Sequence, residues 1–256
     1  KTKMEGLTVE LLSKRLRHQR TQRTQFNYEE YQKLLKVSRA RIKKGRGTRV
    51  KFDRERLHQF CIFMVGTGLR VDEALQLEWE DIRCIDRERV VNRQATETIV
   101  SAYGKDFLSQ LERYYLQINV GVSKSRPHTA YGTGSAYFAY QNLIKLYTSN
   151  PQFNCKVGEG TIFKLHSFRE GLNSLLDEAD LKFEKLGDSR VKRDSKSFRH
   201  TFIQFMLNKG MSSTAIAKMC GTSTEMIDKY YTSNMALDTM MDTFNKVKGG
   251  HLKIVS

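Results

Sequence analysis

The sequence predicts a mainly α-helical domain carrying one small antiparallel β-sheet, an α+β fold. Three observations predict it. Apolar residues recur at three- and four-residue spacing through most segments between residues 27 and 247, the period of a helix with one buried face. Only residues 82–102 break that period, where "RVV" and "TIV" flank a polar turn as in a short hairpin. The chain has 256 residues and 39% hydrophobic content, enough to bury one large core or two modest ones, and it shows no internal repeat.

Taken in order, residues 1–24 form a basic arm in which every charge after Glu10 is positive, a linker that also touches phosphates. From Asn27, "NYEEYQKLLKVSRARI" begins a helix. Asn27 is its N-cap, Glu30 completes a capping box, and Tyr28, Tyr31, Leu34 and Leu35 form one stripe. "KKGRGTRVK" (43–51) is a glycine-broken basic loop. A second helix follows Asp53, with Leu57, Phe60, Cys61, Met64 and Val65 inward, and ends at "GTG" (66–68). The short helix "RVDEALQL" starts directly after it. Beyond the hairpin at 82–102, "DFLSQLERYYLQI" (106–118) returns to helical period, and "SKSRPHTAYGTG" (123–134) is a loop holding one of two prolines. Helices then follow at 135–148, 161–180, 197–209, 212–220, 223–231 and 235–247.

Charge narrows the function. The 44 Lys and Arg against 28 Asp and Glu give a formal +16, which favours a polyanionic partner, nucleic acid above all. A membrane surface fits less well, because no apolar run could cross a bilayer and no basic helix has a lipid-facing stripe. The opening residues are polar and basic, unlike a signal peptide. Cys61, Cys84, Cys155 and Cys220 include no C-x-x-C pair and the six histidines no H-x-x-x-H pair. That pattern predicts a reducing compartment and no metal. No P-loop or dinucleotide fingerprint is present, so no cofactor is expected.

Three short stretches carry the chemistry: "TGLRVDEALQLEW" (67–79), "KSFRHTF" (196–202) and "CGTSTEMIDKYYT" (220–232). Together they resemble the box motifs of the tyrosine recombinases, the phage-integrase family of DNA strand-exchange enzymes. The matching family patterns are TGLRxxEL, HxLRHT and LGHxxxxxTxxYTH. Arg199 to Tyr231 is 32 residues, close to the family's usual separation, and Thr222 follows the third-box glycine. The resemblance covers residues 24–247. It implies a tyrosine-recombinase-like catalytic domain over 25–256, preceded by the arm of a missing N-terminal DNA-binding module. The chain's start at Lys1 rather than Met reads the same way.

The resemblance also implies the reaction. A tyrosine attacks a phosphodiester, leaving a 3′-phosphotyrosyl link and a free 5′-hydroxyl, without metal or ATP. Counting from Gly221 selects Tyr231 as nucleophile, with Tyr230 packing inward and standing second. Negative charge building on the phosphate calls for fixed guanidinium donors, and Arg70 and Arg199 fit that need. Arg70 at a helix start gains nothing from the helix dipole, so an anion nearby should explain it.

Three positions depart from the family pattern. Lys196 stands where the second box opens with His, and would donate to the phosphate or act as an acid. Aligning "RQATETIVSA" puts Arg93 at the family's hairpin lysine, which protonates the leaving 5′-oxygen. Arginine is a poor acid, so Lys105 or Lys196 takes that part, or charge alone stabilises the oxygen. Thr222 replaces a His or Trp, either donating to the phosphate or capping the next helix, with Ser223 the other capping candidate. "HSFR" (166–169) is a decoy, too far from Tyr231 to be the second box.

Lys43, Lys44, Arg46, Arg49 and Lys51, together with Lys124 and Arg126 of "SKSRPH" and with His200, are expected to contact DNA, mostly through phosphates. The apolar face of 235–247 (Met240, Met241, Phe244, Val247) is either core or a helix donated to a neighbouring subunit. The expected partner is double-stranded DNA at a specific site, engaged by a homo-oligomer of two to four copies. The expected setting is bacterial cytoplasm, associated with the nucleoid, or the host cell of a mobile element. A telomere resolvase with the same chemistry and a binding protein that lost catalysis are the alternatives.

Overall fold

A computed structural model of the chain describes residues 25–86, 114–121, 127–165, 167–186 and 189–231. Its organising element is α2 (Thr48–Thr67), which from Arg56 onward is buried almost all round. Such a helix has no polar face to present, so its few polar residues find internal partners. His58 meets Ser38 at 3.1 Å, and Arg56 bonds Asp53 at 2.7 Å. Packed around it are α1 (Tyr28–Lys43), α4 (Gly134–Thr148) and α6 (Lys196–Asn208). Leu57, Phe60, Cys61, Met64 and Val65 are buried as the pattern requires. The predicted capping box of α1 is present in both directions between Asn27 and Glu30. Tyr28, expected on the inner stripe, instead stands exposed beside Phe205.

The glycine-broken loop is shorter than the sequence predicts. It spans 44–47, and Gly47 starts α2, so Thr48–Lys51 are already helical. At the other end Gly68 closes α2 with φ +67°. A Cβ there would lie 2.2 Å from the Phe202 ring, so both the backbone and the packing demand glycine. The chain then turns directly into α3 (Val71–Gln76).

The sheet differs from the expectation. Strand β1 (Ile82–Asp86) pairs antiparallel with β2 (Tyr114–Val120), which pairs antiparallel with β3 (His128–Gly132). The sequence predicts helix over 106–118 and loop over 123–134, yet 114–118 and 128–132 are strands. In "YYLQINV" Leu116, Ile118 and Val120 point into the main core, a period of two hidden under an apparent helical one. Pairing on both edges of β2 overrides the local helical signal. "RVV" and "TIV" lie outside the described residues.

Beyond α4, residues 161–165 and 167–168 are not helical and α5 spans Arg169–Glu178. A second, two-stranded sheet joins β4 (Phe183–Leu186) to β5 (Ser189–Lys192), where the sequence predicts no element. Arg193, 2% exposed, fastens this region to the start of the described chain. Its guanidinium bonds Glu30 at 2.9 Å, Glu184 at 3.0 Å and the Gln25 carbonyl, and lies over Phe26. Helices α6, α7 (Ser213–Cys220) and α8 (Thr224–Tyr230) match the predicted 197–209, 212–220 and 223–231 closely. They close a second apolar cluster that includes Phe202, Ile216, Ile227 and Tyr231. Among the described residues no helix is long and apolar enough to cross a membrane.

Candidate active site

Arg70 is the residue just before α3. The anion that its position calls for is Glu73, whose carboxylate accepts from the Arg70 backbone N–H at 2.8 Å and from Nη1 at 2.6 Å. Glu73 is buried, so this pair fixes the guanidinium rather than decorating the surface. Arg70 is 32% exposed, so solvent screens part of the attraction, but losing it would leave the buried Glu73 carboxylate without its cation. Glu73 is not among the residues the boxes single out, although its spacing from Arg70 repeats the capping-box signal of Asn27 and Glu30.

Arg199 lies on the first turn of α6. Its Nη1 donates to the Gly68 carbonyl at 2.9 Å and its Nη2 to the Cys220 carbonyl at 2.6 Å. Arg70 Nη2 donates to the very next carbonyl, Gly221, at 2.9 Å. One turn of backbone therefore holds both arginines. Gly221 makes that turn with φ +57°, and its bare Cα lies against the His128 ring of β3, where a Cβ would come within 2.6 Å. Carbonyl oxygens orient a guanidinium without neutralising it, and each guanidinium carries five N–H donors. The cluster keeps net positive charge.

Tyr231 completes the group. Ser223 caps α8 through the Met226 N–H, seven residues of helix follow, and Tyr231 ends it with its N–H on the Ile227 carbonyl. Ile227 and Tyr231 are one turn apart, so both face the apolar cluster, and Tyr231 is buried. Its phenol oxygen is the hydrogen-bond partner of His200 Nδ1, and the two rings lie 5.5 Å apart. Burial raises the phenol's pKa above its ordinary value, the Arg199 charge opposes that shift, and Cys220 adds to it. The same Arg70, Arg199 and Glu73 charges act on the buried Cys220 thiol, whose pKa burial raises.

The structure thus brings Arg70, Arg199 and Tyr231 to one locus. It reverses the expected packing of the tyrosine pair. Tyr231 is the inward residue, while Tyr230 is half-buried with the Lys229 ammonium 5.6 Å from its ring. Neighbours on a helix point about 100° apart, so only one of them can reach His200. Lys196 is exposed at the start of α6, one turn before Arg199 and His200. Of the two capping candidates it is Ser223 that caps, which leaves Thr222 half-buried beside the Arg70 contact. His200, expected at DNA, instead meets the phenol.

Lys43, Lys44, Arg46, Arg49 and Lys51 are exposed but run from the end of α1 through the loop to the first turn of α2. That helix has 20 residues, so they stand roughly 30 Å from Gly68. Arg49 there pairs with Asp53 at 3.0 Å and lies over the Phe153 ring. Arg93, Lys105, Lys124, Arg126, His166 and the segment 235–247 lie outside the described residues. Among the described residues no group of His, Cys, Asp and Glu could hold a metal ion.

The sequence model of the phage integrase family matches residues 24–236, and the chain belongs to that family. Its fold is similar to that of the XerH site-specific recombinase in a post-cleavage complex with palindromic difH substrate. There the TM-score is 0.55 at 17% identity, over 88% of this chain and 53% of that one. XerA recombinase matches with TM-score 0.54 at 14% identity, over 89% and 65%. The Tn1549 transposon integrase in complex with transposon right end DNA matches with 0.52 at 15%, over 89% and 66%. The chain spans about half to two thirds of the length of these proteins. No curated protein sequence matches it.

Proposed function

We propose that this chain is the strand-cleaving domain of a site-specific DNA recombinase or integrase that breaks and rejoins DNA through a 3′-phosphotyrosyl intermediate. The observation that carries the reading is the turn Cys220–Gly221, whose two carbonyls hold Arg199 and Arg70. Two guanidiniums so fixed match the two non-bridging oxygens of one phosphodiester, which gain charge as a fifth oxygen approaches. Tyr231 supplies that oxygen. The new phosphoester conserves the energy of the broken one, so rejoining needs no ATP or other cofactor.

Lys196, exposed beside Arg199, donates to the same phosphate, and Thr222 reaches it from the turn. The leaving 5′-oxygen calls for an acid. Arg93 and Lys105 fall, in chain order, in the connection from β1 to β2. The connection from β2 to β3 carries Lys124 in chain order. Lys124 is therefore our first candidate for the acid, ahead of Lys105 and Lys196.

Double-stranded DNA at a specific site is the partner, engaged by a homo-oligomer. Segment 235–247 is the candidate for exchange between subunits, and residues 1–24 are the arm leading to a DNA-binding module. XerH and the Tn1549 integrase, similar in fold, were each captured on DNA, which supports this reading. So does the formal charge of +16. The corresponding setting is the nucleoid of a bacterial cytoplasm or the host cell of a mobile element.

The test uses a nicked suicide duplex carrying the recombination site, sought in the repeats flanking the gene. The expected result is a covalent protein–DNA adduct on a denaturing gel, lost in Tyr231→Phe and kept in Tyr230→Phe. DNA retarded on a native gel without adduct from any version would identify a binding protein instead. Hairpin-ended products would identify a telomere resolvase.

A further inference from the structure

We propose that His200 is a catalytic residue that accepts the phenolic proton of Tyr231 at Nδ1 as the tyrosine attacks. The inference rests on the strand-transfer reading above and assigns a proton path to it. Tyr231 has to become a nucleophile in a place that opposes its ionisation. The ring is buried among Phe202, Ile216 and Ile227, and a phenolate there has lost most of its hydration. Arg199 offsets part of that cost, but a cation can only stabilise the anion; it cannot take the proton. Lys196, one turn before His200 on α6, is an ammonium donor and cannot take it either.

His200 can, and the structure puts it at the phenol oxygen. Imidazole is the side chain whose ordinary pKa lies nearest neutrality, so its unprotonated nitrogen is suited to accept a proton at working pH. Both ends of the contact are anchored. Arg199, the preceding residue, is tied to Gly68 and Cys220, which fixes the first turns of α6. Tyr231 ends a helix whose start is capped by Ser223. The residue that holds the phosphate and the residue that holds the nucleophile's proton are thus adjacent on one rigid helix.

In cleavage the Tyr231 O–H bond breaks, an Nδ1–H bond forms on His200, and the phenol oxygen bonds to phosphorus. The bond from phosphorus to the 5′-oxygen breaks, and that oxygen takes a proton from a lysine ammonium or from water. In rejoining every step reverses: the 5′-hydroxyl attacks, and the departing Tyr231 oxygen recovers its proton from His200.

The test separates proton transfer from mere positioning. His200→Asn sets a carbonyl oxygen near the place of Nδ1, which accepts a hydrogen bond but not a proton. Single-turnover cleavage of the suicide duplex should fall about 100-fold in this variant, with DNA retention unchanged. Replacing Tyr231 by a ring-fluorinated, more acidic tyrosine should recover much of the loss. A 5′-thiol leaving group, which needs no acid, should recover none. Cleavage by His200→Asn at the wild-type rate, or its recovery by the thiol alone, would overturn the assignment. A wild-type protein that forms no adduct overturns the strand-transfer reading itself, a separate outcome. If the variant fails to fold, 15N spectra of histidine-labelled wild type decide. They should report an accepting Nδ1 on His200 that Tyr231→Phe converts to a free one, and identical spectra would refute the contact.

Discussion

Arg70 and Arg199, far apart in the chain, donate to adjacent carbonyls, those of Gly221 and Cys220, at 2.9 and 2.6 Å. One backbone turn therefore sets the distance between two guanidiniums that come from different helices. Arg199 also bonds the Gly68 carbonyl, so the turns that end α2 and α7 are both part of the clamp.

The planar fork should matter more than the charge. Arg70→Lys and Arg199→Lys each keep the charge and lose the second donor direction. We expect adduct formation to drop by about 10²–10³-fold in either variant, from the loss of a preorganised donor pair. DNA retention should change far less, which quantitative gel shift alongside single-turnover cleavage would reveal. Equal losses in both measurements would mean that the arginines only bind.

Two glycines with positive φ separate backbone strain from collision. Gly158 has φ +85° and open space around it, whereas an added Cβ at Gly68 meets Phe202 at 2.2 Å. Gly158→Ala should cost about 1 kcal/mol, the ordinary penalty of a left-handed alanine. Gly68→Ala should cost about 3 kcal/mol or more and disturb the Arg199 anchor as well. Urea unfolding of both variants supplies the comparison.

Acid should weaken the fold through His58. Burial first, and the Arg39 charge second, push its pKa down to about 4, so it is neutral in the folded protein. An unfolded chain binds this proton near pH 6.5. Its contribution is therefore complete above pH 6.5 and is lost as pH falls from there toward 4, by about 3 kcal/mol in all. Measured between pH 7.5 and 4.5, unfolding of His58→Gln should show a shallower decline than wild type. Parallel curves would assign acid sensitivity to other groups.

The basic loop at the start of α2 should affect binding but not chemistry. It stands a helix length from Gly68, so Lys44→Glu with Arg46→Glu removes contacts to phosphates distant from the one attacked. We expect weaker DNA affinity and a lower salt slope by about one to two units. The cleavage rate at saturating protein should be unchanged. A fall in that rate would place the loop near the reacting phosphate.

Much of this was legible in the sequence because it is local. Asn27 and Glu30, the stripe through α2, and the helices α6 to α8 follow from capping and period, and the structure keeps them. The boxes at 67–79, 196–202 and 220–232 named Arg70, Arg199 and Tyr231, which do converge. Glu73 was missed although its spacing was visible. The strand at 114–120 is not legible locally, because Leu111, Tyr114, Tyr115 and Ile118 fit a helical period, and the competing period of two at Leu116, Ile118 and Val120 prevails only once β1 and β3 flank it.

What the sequence determined by itself was chemistry carried by residue type and short-range order. Two arginines, a tyrosine, a large positive charge and helix ends marked by Gly68 and Gly221 are all readable along the chain. Only the tertiary structure decided which partner each group meets. It joined both arginines to the Cys220–Gly221 turn, turned Tyr231 rather than Tyr230 inward, and set His200 against the phenol. Those choices depend on contacts between residues distant in sequence, and their energies come from burial and hydrogen bonding that exist only after α2, α6 and the sheet have packed together.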